Sequence, residues 1–206
     1  MRKLIITFGA CVALSLLGCS NGGGTATTDH HVEATPTSTP LDCFVDSIFK
    51  TMPNALDNDV TRSMLADSIK VSLNNYQGGA IPFLSGLPLE YEMCLPYDRN
   101  SKFAGQYVVK FSYSDRATDK TMTFQVFTRM DKEKVANLVD HAKYQVDGVF
   151  LFFPDNTQEH WFELPSGRGF TDYPQISTTT ELDGSKKPFI NLGSFIMGDV
   201  RFTPAE

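Results

Sequence analysis

Residues 107–127 read YVVKFSYSDRATDKTMTFQVF, and the alternation in this stretch decides the fold class. Apolar side chains recur at every second position, at Tyr107, Val109, Phe111 and Tyr113 and again at Met122, Phe124 and Val126. Successive side chains of a strand point to opposite faces of the sheet, so the pattern predicts two strands with one apolar face each. Mostly polar residues hold the opposite positions, and the sheet is therefore expected to have a wet face.

Two more strands are predicted on either side of this stretch. Residues 89–95 place apolar side chains at alternate positions, with Glu90, Glu92 and Cys94 on the other face. Residues 144–153 become apolar on both sides, which indicates a strand that is buried on both faces.

A fifth strand is predicted near the end of the sequence, after a long irregular stretch. The stretch covers residues 155–187 and contains one short predicted strand at residues 160–164. The last strand runs over residues 189–202, and Gly193 and Gly198 within it predict a bulge or a sharp bend.

Two amphipathic helices are predicted before the strands. Residues 41–52 carry apolar side chains at helical spacing, and Pro53 ends this helix because proline disfavours helix in the residue before it. Asn58 or Asp59 can cap a second helix that runs to about Tyr76.

The order of these elements resembles the OB-fold, a five-stranded barrel with a helix between strands three and four. That helix is predicted over residues 132–141, and residues 102–109 (KFAGQYVV) are similar to the entry into strand two of small bacterial OB domains. The predicted class is therefore α+β and mostly β, with two N-terminal helices (41–78) and an OB-like barrel (88–203). An open α+β sheet with both helices on one face is the alternative.

The beginning of the chain has the features of a secretory signal. Arg2 and Lys3 precede an apolar run over residues 4–17 that is too short to span a bilayer as a helix. Leu16-Leu17-Gly18-Cys19 then resembles the lipobox of bacterial lipoproteins. This resemblance implies that residues 1–18 are cleaved and that Cys19 becomes the lipidated first residue.

The resemblance also implies a location in the cell envelope. Ser20 after the lipidated cysteine implies sorting to the outer membrane, and residues 21–24 lack the acidic run of surface-export signals in Bacteroides-like bacteria. We therefore expect the periplasmic face. Residues 19–40 are rich in Gly, Thr, Ser and Pro and are predicted to form a flexible tether before a single globular domain, 41–206.

Charge and cysteine content limit the possible functions. The chain has a formal net charge of -6, which disfavours nucleic-acid binding because such binding relies on cations that neutralise phosphates. Cys43 and Cys94 remain after the anchor, and an envelope protein could join them in a disulfide. The sequence leaves that bridge open, since it does not give the distance between the two residues.

Motifs of known chemistry are missing from the sequence. No Gly-x-Ser-x-Gly, phosphate loop or Cys-x-x-Cys pair occurs, and the histidines lack metal-ligand spacing. We therefore predict neither catalysis nor a cofactor nor a metal site.

A candidate binding face is predicted from the long stretch 155–187. It carries Trp161, Arg168, Phe170 and Tyr173, and arginine and aromatic side chains dominate the binding energy of protein interfaces. Lys110, Phe127 and Arg129, from the outward sides of strands two and three, are expected to flank this face. The alternative is that the aromatic residues only hold the loop against the barrel.

Three functions fit these features. The first is a membrane-anchored adaptor that docks an envelope protein. The second is a receptor for a glycan or another small molecule, because OB-folds also bind oligosaccharides. The third is a structural lipoprotein of the envelope.

Overall fold

The computed structural model describes residues 38–99, 101–117, 119–154, 174–182 and 184–205. In this part the chain is mostly β, with six strands and three α-helices. The predicted signal (residues 1–18), the predicted lipid-attachment residue Cys19 and the strand predicted at 160–164 lie outside the described residues. In the described part, no helix is long and apolar enough to cross a membrane.

Both N-terminal helices form where they were predicted and begin at capped residues. Helix α1 (Pro40–Thr51) starts after Thr39, whose hydroxyl accepts a hydrogen bond from the backbone N–H of Asp42 at 3.1 Å. Helix α2 (Asp59–Asn74) starts after Asn58, whose side-chain oxygen accepts one from the N–H of Thr61. Such caps satisfy N–H groups that have no partner within the helix.

The strands follow after a 3₁₀ turn at Pro82–Leu84. They are β1 (Pro88–Pro96), β2 (Gln106–Arg116), β3 (Thr121–Asp131), β4 (Lys143–Phe152), β5 (Gln175–Thr180) and β6 (Lys186–Pro204). The short helix α3 (Lys132–Val135) lies between β3 and β4. The five main strands predicted from alternation or apolar runs are confirmed in position as β1, β2, β3, β4 and β6. The short strand predicted at 160–164 is not one of these five.

Five of these strands pair in a closed circuit. The order β3-β2-β1-β4-β6 is antiparallel at every step, and β6 also pairs in parallel with β3. Strand β5 pairs with β6 as an additional strand. Every strand of the circuit therefore has two hydrogen-bonded neighbours over part of its length.

The main core lies on one side of these strands and also includes the buried sides of the two helices. Phe83 of the 3₁₀ turn lies between Phe124 of β3 and Phe195 of β6, with ring centroids 6.1 and 6.4 Å away. The buried stripes of α1 and α2 belong to the same cluster, at Leu41, Val45, Ile48, Leu65, Ile69 and Leu73. The two helices therefore fold together with the strands.

Strand β5 corrects the last part of the irregular stretch predicted over 155–187, of which residues 155–173 lie outside the described residues. Its sequence, QISTTT, has β-branched residues but a mostly exposed pattern without apolar alternation. Backbone pairing with the first part of β6 forms the strand, and β6 consequently begins at Lys186. Hydrophobic periodicity could not detect an edge strand that buries so little apolar surface.

Helix α3 is shorter than the predicted helix 132–141. Beyond Val135 the backbone N–H of Val139 donates to the Tyr144 hydroxyl at 2.7 Å, and His141 adopts a left-handed conformation with φ of 57°. The N–H of His141 then donates to the carbonyl of Tyr91. Hydrogen bonds to Tyr144 and to β1 therefore use the backbone N–H groups that a longer helix would have needed.

A bulge in β1 changes which of its residues face the core. The pairing of β1 with β2 shifts between Tyr91 and Met93, so Glu92 is an extra residue in the strand. Tyr91 before the bulge and Cys94 after it both contact the main core. The prediction that Cys94 shares a face with Glu90 and Glu92 is therefore wrong, because a bulge reverses the alternation.

Candidate functional site

A second, smaller cluster lies on the other face of the strands. Its buried members are Tyr97, Val108, Phe127 and Ile196, and Phe103, Leu151 and Phe152 pack around them. Phe127 is only 4% exposed. Phe127 lies in this cluster, on the face of β3 opposite the main core. The expectation that it flanks a binding face formed by the stretch 155–187 stays a prediction, since residues 155–173 lie outside the described residues.

Lys110 is bound to a neighbouring strand. Its ammonium group forms an ion pair with Glu92, the extra residue of the β1 bulge. Burial alone would raise the pKa of Glu92, but hydrogen bonds from Lys110 and Ser112 outweigh it and lower that pKa. Lys110 therefore serves to neutralise a half-buried carboxylate.

Arg129 lies beside the second cluster and contacts an aromatic ring. Its guanidinium lies 3.9 Å from the ring centroid of Phe103, in the connection between β1 and β2. Lys102 also approaches this ring, with its ammonium nitrogen 4.9 Å from the centroid. Such distances allow a cation–π attraction, which fixes Arg129 over the cluster.

Arg129 also lines a cleft of about 290 Å³, at the lower end of the sizes usual for ligand pockets. The cleft crosses β2, β3, β4 and β6. Its apolar part comes from Leu151, Ile196 and Met197, and its polar part from Gln106, Thr128, Arg129 and Asp199.

Gln106 lines this cleft, and a neighbouring strand holds its side-chain amide. Its side-chain N–H₂ donates to Asp131 Oδ1 at 3.3 Å, which fixes the orientation of the amide, because the reversed amide would oppose two acceptor oxygens. The amide oxygen Oε1 is enclosed and has no hydrogen-bond partner within the described ranges. An enclosed acceptor without a partner costs free energy until a donor reaches it.

Asp199 adds a second acceptor from an unusual backbone conformation. Its φ is 50°, in the left-handed region that aspartate tolerates better than most residues. It follows Gly198, where an added Cβ would lie 3.2 Å from Leu151 Cδ1. The sequence predicts a bulge or bend at Gly198, and the chain reaches the cleft there with Asp199. No sequence pattern singles out Gln106 or Thr128 as site residues.

A second cleft, of about 320 Å³, lies over β4 and the end of β6. Its residues include Gln145, Asp147, Arg201 and Thr203. Asp147 and Arg201 bind each other at 3.3 Å across the two strands, and both side chains are mostly exposed. This cleft contains the same residue types without an enclosed acceptor, and it serves below as a matched control.

The remaining predicted site residues are placed as follows. Trp161, Arg168, Phe170 and Tyr173 lie outside the described residues. Cys43 on α1 is an exposed free thiol, and Cys94 is a half-buried free thiol. Among the described residues, no group of three or more His, Cys, Asp or Glu side chains could hold a metal ion.

Comparison with known proteins gives no relative. Neither a family model, nor a curated protein, nor a solved structure matches the chain.

Proposed function

We propose that this chain is a lipid-anchored binding domain of the cell envelope, and that its cleft takes a small hydroxyl-bearing ligand such as a saccharide unit. The observation that carries the proposal is a cleft of ligand size in which the exposed Asp199 side chain, Gln106 and Arg129 lie beside an apolar wall. Anchoring through Cys19 rests on the lipobox resemblance of residues 16–19.

The closed circuit of strands supports an OB-like barrel as the scaffold. Its order, its single parallel pair β3–β6 and the helix α3 between β3 and β4 are those expected of a five-stranded Greek-key barrel. Strand β5 and the two N-terminal helices are additions to that scaffold. The proposed site lies on strands β2 and β3, together with β4 and β6.

The chemistry of the cleft favours a ligand that donates hydrogen bonds. The Asp199 carboxylate is an exposed acceptor, and Arg129 is the cation in the lining. Leu151, Ile196 and Met197 provide an apolar wall. A sugar ring matches this combination, because it presents hydroxyl donors at its edge and C–H groups on its faces. Stacking on Phe103 is not required, since the Arg129 guanidinium already contacts that ring.

The test is calorimetric titration of the protein with a panel of neutral oligosaccharides. Asp199→Asn preserves the left-handed backbone and the side-chain size but removes the charge, so we expect it to weaken binding about tenfold or more. Gln106→Met removes a polar side chain from the lining and should also weaken binding.

Matched variants in the second cleft serve as controls. Asp147→Asn and Gln145→Met change the same residue types at a site without an enclosed acceptor, and we expect the affinity to stay within about twofold. Equal losses at both clefts, or no binding across the panel, would contradict the proposal.

The adaptor hypothesis has a different basis. The aromatic residues that motivated it lie outside the described ranges, and Phe127 is buried. The adaptor function therefore stays a prediction that rests on Trp161 and Arg168. Its test is whether Trp161→Ala abolishes the capture of a partner protein.

A further inference from the structure

Helix α2 has an apolar stripe on its exposed side. Val60, Met64 and Val71 are 69%, 54% and 63% exposed. At 100° per residue they fall within an arc of about 40°, and they cover about 16 Å of the helix axis. The buried stripe of the same helix, Leu65, Ile69 and Leu73, lies on the opposite side. This helix is therefore apolar on two sides.

The exposed stripe carries a negative charge. Asp67 is exposed and lies about 20° from Val60, just outside this arc. The basic residues of α2 lie farther round the helix: Lys70 is about 80° from Val60, and Arg62 turns back to bind Asp59 and the carbonyl of Leu56. The stripe is thus an apolar surface with one acidic group at its edge, near the middle of its length.

We propose that this stripe docks an amphipathic helix of a partner protein, with a lysine or arginine of that helix facing Asp67. Exposed apolar residues on one stripe can pack against the apolar face of an amphipathic helix, whose side chains spaced three and four apart provide the contacts. Ser63 and Ser68 flank the stripe, and these small side chains allow the partner backbone to approach closely.

Charge argues against two other occupants. A second copy in antiparallel pairing would match Val60 with Val71, but it would set each Asp67 carboxylate against Met64 of the other copy, without a cation. An anionic lipid surface would meet both Asp67 and a chain with a net charge of -6. A basic partner helix is attracted both by Asp67 and by the net negative charge of the chain. Complementary charge speeds association and disfavours partners of like charge.

The test uses two synthetic amphipathic helical peptides that differ only at the centre of the apolar stripe, with lysine in one and glutamate in the other. Fluorescence anisotropy measures the binding of each peptide to the full chain. We expect the lysine peptide to bind about fivefold more tightly. Asp67→Lys should reverse this preference, and Val71→Asp should abolish binding of both peptides without unfolding the protein, since Val71 is 63% exposed.

Glu133→Lys is the control, because it makes the same charge change at an exposed position on α3. It should leave the preference for the lysine peptide intact. Absence of binding by either peptide, or a preference that Asp67→Lys does not reverse, would overturn the proposal. So would a wild-type dimer in light scattering that Val71→Asp dissociates, or binding to vesicles rich in anionic lipid.

Discussion

Lys120 links helix α1 to the strands through two ion pairs. Its replacement should show how much these ion pairs contribute to the stability of the fold. Its ammonium nitrogen lies 2.8 Å from Asp46 Oδ1 and 3.1 Å from Asp42 Oδ1, both on α1, while Lys120 itself directly precedes β3. The Lys120 side chain is 10% exposed, and that of Asp42 is 19% exposed. Lys120→Met keeps the apolar stem but leaves Asp42 without its cation.

The expected loss is about 2 kcal/mol in the free energy of unfolding at neutral pH. Hydrogen bonds to charged groups contribute about 1.5–3 kcal/mol, and breaking a fully buried pair costs about 3–5 kcal/mol. A value at the lower end is appropriate because Asp46 is 51% exposed and solvent screens its share. Urea unfolding followed by circular dichroism should show a midpoint lower by roughly 1 M.

The effect should depend on pH in a defined way. Burial acts to raise the pKa of Asp42, but hydrogen bonds from Thr39 and Lys120 outweigh it and lower that pKa below 3.8. Burial acts to lower the pKa of Lys120, but Asp46 and Asp42 raise it above 10.5. The stability from Asp42 is therefore lost as pH falls through its folded pKa, and the stability from Lys120 is lost as pH rises above 10.5.

We accordingly expect the difference between wild type and Lys120→Met to be largest between about pH 5 and pH 10 and to shrink outside that window. Arg201→Met is the control, because it breaks an exposed ion pair with Asp147 and should cost less than about 0.5 kcal/mol. A loss in Lys120→Met no larger than in Arg201→Met, or a difference that persists unchanged at pH 2, would refute the reasoning.

Two further predictions concern packing. Gly148→Ala should destabilise the protein by about 1–3 kcal/mol in urea unfolding, because the new Cβ would lie 2.8 Å from the carbonyl oxygen of Gly198. Gly79→Ala, where the nearest heavy atom is 3.6 Å away, should be nearly neutral, and an equal effect at both positions would contradict the packing argument. Phe127→Ala should cost about 3 kcal/mol, as expected for a buried ring, whereas Val139→Ala, at 64% exposed, should change stability by less than about 0.5 kcal/mol. A neutral Phe127→Ala would instead support an exposed position for that ring.

Part of the candidate site could be predicted from the sequence. Arg129 and the bend at Gly198 were recognised from strand alternation and from glycine. Gln106 and Asp199 were missed, because an enclosed amide oxygen and a left-handed aspartate become visible only when β2, β3 and β6 are placed side by side.

The sequence by itself determined the positions of the helices and of the main strands, because side-chain period and capping residues act within a few residues along the chain. Tertiary structure decided the rest. The bulge at Glu92 turned Cys94 toward the core, pairing with β6 formed β5, and the second cluster buried Phe127. Each of these outcomes depends on hydrogen bonds or packing between segments far apart in the chain, which the local pattern of apolar residues does not encode.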